Sequence, residues 1–456
     1  RIWRTAARPS ARSERGAPMR VLFQPFAAAT HVAAQVPLAW ALRAAGHEVR
    51  VATQPDVTDD ITGAGLTAVP VGEPLHVAAR MNPDDTGLAE ELRDGAWLRV
   101  LDPGDVRPER LTLDHLHGVF AAWTPLVHRN TVPDRMIDDL VALARDWGPD
   151  LVVWDTMTYA GPVAARATGA AHARLMFGLD LVGLLRDRYR SVLDRLPPEL
   201  RDDPLEEWLG HVLERHGLEG PGRGFDEEMV VGQWTIDPVP SSLALPVPLP
   251  RVPVRYVPYN GTTQVPWRLD EPAGRRRICL TLGVSFREVV GEDQASVGGL
   301  LEAVADLDVE VVATLNAEQL AAVGPLLPPN VRVMDFVPLD ELLPSCAAII
   351  HHGGAGTFLT ALAHGVPQVV VPSRMWCNTP RAERARSAGV ALTCPPEQLT
   401  PSGLRAMVRR VLDDPSFARA AVRVRGEMQR TPSPAAVVPV LERLAGERRT
   451  RPPRGV

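Results

Sequence analysis

The chain contains no lysine: all 49 of its basic residues are arginines. That absence excludes a Walker A lysine, a Schiff-base lysine and the strand lysine of protein kinases in one step. Cysteine is almost as scarce. The four present, Cys279, Cys346, Cys377 and Cys394, form no CxxC pair, so neither a zinc framework nor a disulfide scaffold is expected, and a reducing cytoplasm is the expected compartment. No apolar run approaches the roughly 18 residues that would cross a bilayer, so membrane insertion is not expected. A net charge of -6 leaves no general basic field to draw in nucleic acid. The first 18 residues have no apolar core of a secretory signal. They are expected to be upstream translated sequence or a disordered extension.

What is present reads as two α/β units. The length of 456 residues is enough for two or three domains. MRVLFQPF (19–26), VPLAWALRAAGHE (36–48) and VRVATQP (49–55) give strand, helix and strand, a parallel βαβ opening. PDLVVWD restores a buried strand that ends at Asp155. The Pro-rich stretch TIDPVPSSLALPVPLPRVPVRYVPYNG (235–261) is unsuited to a helix interior or a central strand, so it is expected to be an extended connector. A second strand-rich series begins at RICLTLG (277–283). The expected boundaries are a first domain at 19–235, a linker at 236–270, a second domain at 271–430, a terminal helix at 431–447 and a tail at 448–456. The charged segment 181–219 reads as a solvated helical face or a partner-docking surface.

The stretch IIHHGGAGTFLT (349–360) is the most informative. A core strand should end near Ile350 and a helix should run from Thr357 to His364, with the glycines between them at the carboxyl edge of a parallel sheet, where such folds bind ligands. Gly353, Gly354 and Gly356 permit a tight bend and close approach to backbone. The following helix offers unpaired amides and a positive dipole end that favour phosphate, and Thr357 is placed to cap it or donate its hydroxyl. His351 and His352 divide two jobs, phosphate contact and satisfaction of a local backbone group. The pattern lacks GxGxxG spacing, so a dinucleotide site is not indicated.

HHGGAGTFLTALAHGVPQVVVP (351–372) resembles the donor-site signature of nucleotide-sugar glycosyltransferases of the GT-B architecture, two facing Rossmann-like domains with an interdomain cleft. Residues 26–72, together with PDLVVWDTMTYAGPVAARATGAAHARLMFG, VVGQWTIDPVPSSL and RYVPYNGTTQVPWRL, resemble the actinobacterial macrolide and anthracycline deoxysugar transferases, in their activator-dependent branch. The similarity spans about residues 19 to 445. It implies an inverting, metal-independent transfer of a deoxyhexose from a dTDP-sugar to a hydroxyl of an apolar polyketide aglycone. The first domain would bind the acceptor and the second the nucleotide sugar. The dTDP-sugar is a co-substrate, and no cofactor is implied.

Carried onto this sequence, the resemblance places His351 against the donor diphosphate with the backbone of Gly353, Gly354, Ala355, Gly356 and Thr357. Ser285 is a further phosphate neighbour or a helix cap. Phe336 and Val337 border the nucleobase. Trp376, Cys377 and Asn378 occupy the sugar-contacting position, where related sequences often carry a carboxylate; a thiol cannot replace its charge. His31, expected in a loop after the first strand, matches the family's catalytic base, since a neutral imidazole can take a proton from the attacking hydroxyl. Asp155 is its expected orienting partner or else a local cap, with Asp180 as a further candidate. Trp97, Phe120, Trp123 and Leu126 are candidates to line the acceptor surface, with some of them belonging to the core. A P450-like activator and a homodimer are the partners implied. Two rival readings are a sugar-nucleotide 2-epimerase and a nucleotide-sugar-binding regulatory or helper protein.

Overall fold

The computed structural model describes residues 18–76, 103, 106–220, 224–262, 274–282, 296–315, 319–321, 327–373 and 376–450. Two sheets organise them. The first contains β1 (Arg20–Gln24), β2 (Glu48–Thr53), β3 (Ala68–Pro70), β4 (Leu151–Asp155), β5 (Ala171–Leu175), β6 (Trp234–Asp237) and β7 (Arg251–Pro253), in the order β3-β2-β1-β4-β5-β6-β7. The second contains β8 (Arg276–Thr281), β9 (Val309–Thr314), β10 (Val331–Met334), β11 (Cys346–His351), β12 (Gln368–Val370) and β13 (Ala391–Thr393), in the order β10-β9-β8-β11-β12-β13. Every pairing is parallel. The expected pair of α/β units with parallel sheets is therefore the architecture observed.

Parallel strands covered by helices on both faces need apolar residues throughout. β4 and β5 are buried along their whole length, and Ile349 and Ile350 of β11 are 0% and 1% exposed. Each such side chain contributes about 1.5–3 kcal/mol when fully buried. The order in each sheet reverses beside its first strand, so β1 and β4 in one lobe, and β8 and β11 in the other, part their following segments to opposite faces. Ligand crevices form at such carboxyl edges.

Four local expectations change. The first helix spans Ala29–Ala44 and carries Pro37 inside it, so it starts seven residues before Val36, where the helical stretch VPLAWALRAAGHE begins. The Pro-rich connector supplies β7, an edge strand, where a missing amide is tolerated. The charged segment is not simply solvated: the Leu181–Leu193 helix buries Arg186, whose guanidinium donates to Asp203 Oδ1 at 2.8 Å and to Glu227 Oε1 at 2.7 Å. The last helix is Pro434–Arg448, and beyond it Arg449 holds Asp150 at 3.0 Å while the Thr450 amide donates to Gly169 O. The start of the segment read as a tail is thus pinned to the first lobe. That last helix packs on the Ala29–Ala44 helix. Among the described residues no helix is long and apolar enough to cross a membrane.

Candidate active site

The glycine bend joins β11 to the Ala355–His364 helix. Gly353 sits at φ 93°, a region that residues with a Cβ rarely adopt, and this turns the chain away from the sheet. Gly354, not Thr357, is the N-cap, without a side-chain cap bond. The helix therefore begins two residues earlier than the sequence suggests. Gly354, Ala355 and Thr357 are partly exposed and Gly356 is exposed, so the first-turn amides face an open space with no acidic side chain in that turn. From the connector, the Tyr256 hydroxyl reaches Gly356 O at 3.3 Å and Thr360 Oγ1 at 3.2 Å.

The two histidines shape this bend from within. The Gly353 amide donates to His351 Nδ1 at 3.0 Å, leaving the ring proton on Nε2, which donates to Gln368 Oε1 at 2.8 Å. Both ring nitrogens are thus engaged by protein groups. Burial pushes His351 down to about 3 and His352 down to about 4, and the Arg381 charge adds to both shifts. Neither imidazole carries charge at neutral pH.

Arg381 is the cation of the site. It is 2% exposed. Its guanidinium donates to the Gly353 carbonyl, to Asn378 Oδ1 at 2.8 Å and to Cys377 Sγ at 2.7 Å. Asn378 in turn donates to Ser373 Oγ at 2.7 Å. Trp376 holds a left-handed φ of 48°, an uncommon conformation for a bulky residue. Its ring lies 5.1 Å from that of Trp123.

Across from this bend stands an acid–histidine pair. His31 lies in the first turn of the Ala29–Ala44 helix rather than in a loop, and its Nδ1 is 2.7 Å from Asp155 Oδ2. Asp155, at the end of β4, is 1% exposed and accepts the Met157 amide on its other oxygen at 2.9 Å. The His31 ring is flanked by Phe26, with centroids 5.1 Å apart, and by Phe177, at 4.4 Å. The residue after Phe177 is Gly178. A Cβ there would meet Arg381 Nη2 at 2.6 Å and Ala355 Cβ at 3.6 Å. The loop beside His31 therefore touches the glycine bend of the other lobe.

Residues 40–283 match the family described as erythromycin biosynthesis protein CIII-like, N-terminal domain, and residues 298–444 match its C-terminal domain. The chain belongs to this family of GT-B glycosyltransferases. It is 54% identical to the aclacinomycin-T 2-deoxy-L-fucose transferase of Streptomyces galilaeus, with 96% of this chain and 99% of the relative covered. It is 50% identical to the 10-deoxymethynolide desosaminyltransferase of Streptomyces venezuelae, covering 95% and 99%. Among solved structures, the glycosyltransferase VinC in complex with dTDP superposes with a TM-score of 0.83 at 42% identity, covering 94% of this chain and all of that one.

Within this glycosyltransferase the remaining candidates fall into different places. Ser285 and Trp97 lie outside the described residues. Phe336 is 48% exposed just after β10, while Val337 is buried. Phe120 and Trp123, expected on an acceptor surface, are 0% and 1% exposed. Phe120 stacks on Tyr189 at 5.2 Å. With Leu116 and Val127 these residues form the buried stripe of the Leu113–Trp123 helix and the π turn Thr124–His128, so helical spacing took them into the core. Leu126 is partly buried. Asp180 does not serve His31: it receives Arg174 at 3.0 and 2.7 Å and caps the Gly183 amide. Sequence reasoning missed Arg381, Phe177, Gly178 and Tyr256. For Arg381 one signal existed, the helical spacing that sets it over Cys377 and Asn378.

Proposed function

We propose that this glycosyltransferase moves a deoxyhexose from a dTDP-sugar to a hydroxyl of an apolar polyketide aglycone, with inversion at the anomeric carbon. The observation that carries this reading is the His31–Asp155 pair, 2.7 Å apart, on the lobe opposite the glycine bend and joined to it through Phe177 and Gly178. The names of the similar transferases supply the substrate class.

Asp155 holds Nδ1–H, which leaves Nε2 to take the proton of the acceptor hydroxyl. As that proton leaves, the acceptor oxygen bonds to the anomeric carbon from the face opposite the diphosphate, and the bond to the diphosphate oxygen breaks. The departing dTDP keeps the electron pair. The amides of Ala355, Gly356 and Thr357 and the positive end of their helix offset its charge. In this reading His351 acts by fixing Gly353, and through it those amides. Phe336 offers an exposed ring for the base. Trp376, Cys377 and Asn378 border the sugar.

We take the reaction to be metal-independent: among the described residues no group of three His, Cys, Asp or Glu side chains stands together for a metal, and the bend carries its own positive field. EDTA should leave transfer unchanged. The enzyme would work in the cytoplasm, with a P450-like activator and a second copy of the chain as its partners. The test incubates dTDP-deoxysugars with polyketide aglycones, with and without such an activator, and follows glycoside mass. His31→Ala should abolish glycoside formation while dTDP still binds; undiminished turnover would remove His31 from the role of base.

A further inference from the structure

The acceptors around Arg381 are a carbonyl, an amide oxygen and a sulfur. None is a carboxylate, and no acidic side chain pairs with this guanidinium among the described residues. A buried cation without a counter-ion projects its field into its surroundings with little screening. Two helix amino termini, at Ala355 and Asn378, open on the same place, and neither carries an acidic residue in its first turn, so their positive ends add to the field. That field is also felt by His351 and His352, whose neutral forms Arg381 favours.

The position of this charge matters. Arg381 Nη2 abuts Gly178, and Gly178 follows the Phe177 ring that packs on His31. Under the transferase reading, on which this inference rests, the sugar must lie between His31 and the amides of Ala355–Thr357. Arg381 walls that gap. The geometry points to a donor pocket that selects uncharged deoxysugars over amino sugars, with Arg381 as the discriminating residue and Cys377 as the uncharged neighbour that leaves it unneutralised.

The chemistry is simple. A dialkylamino group on a sugar is protonated near neutral pH, and a cation about 8 Å from an unpaired guanidinium loses roughly tenfold or more in affinity at an effective dielectric near 20–30. A carboxylate at position 377, one helical turn from Arg381, would pair with it and erase the penalty. A hydroxyl there would not.

The experiment is equilibrium binding of three probes to the full chain: dTDP, a dTDP-2,6-dideoxyhexose with a 3-hydroxyl, and its 3-dimethylamino counterpart. At about pH 6.5 the hydroxyl sugar should bind about tenfold or more tightly than the amino sugar, and at about pH 9.5, where the amine loses its proton, the gap should close. Cys377→Asp should close the gap at the lower pH, and Cys377→Ser should preserve it. The pH arm needs no variant, so a poorly folded Cys377→Asp does not rescue the idea. Equal affinities in the unaltered protein at the lower pH, or a gap unmoved by pH, overturn it while leaving the transferase reading intact. Failure of dTDP itself to bind would bring down both.

Discussion

Replacing Asp155 by asparagine probes the heart of the proposed chemistry with almost no change of shape. One carboxylate oxygen accepts the Met157 amide at 2.9 Å, and an asparagine side chain can keep that bond. The other faces His31 Nδ1 at 2.7 Å. An amide NH2 placed there meets a donor with a donor, so the ring moves its proton to Nε2, the nitrogen that must accept one. A hydrogen bond to a charged group contributes about 1.5–3 kcal/mol, and this one strengthens as the imidazole becomes cationic in the transition state. Its loss alone slows the reaction about 10–150-fold. With the wrong tautomer added, kcat should fall about 100–1000-fold. The assay is single-turnover glycoside formation beside calorimetric dTDP binding, which should stay within about twofold. The double variant His31→Ala/Asp155→Asn should be no slower than His31→Ala, as expected for residues acting as a unit. Asp155 also ends β4, and its carbonyl accepts from Thr158. If the Asp155→Asn variant kept near-normal turnover, or lost dTDP binding and stability in parallel with kcat, Asp155 would be a strand-end cap and nothing more.

Two further outcomes are expected. At Gly354 a Cβ would already stand 2.9 Å from His352 Nε2, so Gly354→Leu should displace that ring and weaken dTDP binding by about tenfold or more, the cost of one lost charge-assisted contact; unaltered affinity would show that no ligand approaches this backbone. Acid should unfold the protein early: burial pushes His128, His172 and His351 down to about 3 and His352 to about 4. Because these folded-state values lie below the unfolded value, all of the associated stability is present above about pH 6.5 and is lost as pH falls towards the folded values, by up to about 1.4 kcal/mol per histidine between about pH 7.5 and 5.5. Urea midpoints over that range measure it. His128→Leu, which replaces a ring without a hydrogen-bond partner among the described residues, should flatten the dependence by about one histidine's share, and an unchanged slope would contradict it.

The framework was legible because parallel sheets write themselves as apolar runs, as in Leu151–Trp154 and Ala348–Ile350. The glycine bend was legible because its strand, bend and helix are contiguous. A boundary was harder where one residue carries two signals: Thr357 looks like a cap although Gly354 takes that place. For Phe120 and Trp123 acceptor lining and core stood side by side, because nothing local reveals that Tyr189 and Trp376 pack against them. Arg381 was hidden for the opposite reason. In NTPRAERARS it sits among charges that look solvated, and its burial depends on Gly178, distant in sequence, lacking a side chain where the guanidinium needs room.

The chain crosses between lobes twice, and both crossings are fastened. In the connector, Leu243 O and Ala244 O receive Arg384 at 3.0 and 2.7 Å, the Ser242 amide reaches Glu427 at 3.0 Å, and the Arg255 amide donates to Pro432 O. The second crossing leads into the Pro434–Arg448 helix, which packs against the helix that carries His31 and pairs Glu442 with His47 at 3.1 Å. Relative motion of two bodies fastened at such crossings is restricted to rocking about them. Gly178 lies beside Arg381 and Ala355, away from those crossings and next to the Phe177 ring that packs on His31. Rocking therefore changes the His31-to-bend distance more than it changes either site internally. The amides proposed to bind dTDP and the His31–Asp155 pair each survive as built, and what opening removes is the substrate position proposed between them. Under the proposed reaction, water exclusion and catalysis then rise together on closure, so a loaded donor is exposed to hydrolysis least when His31 is nearest.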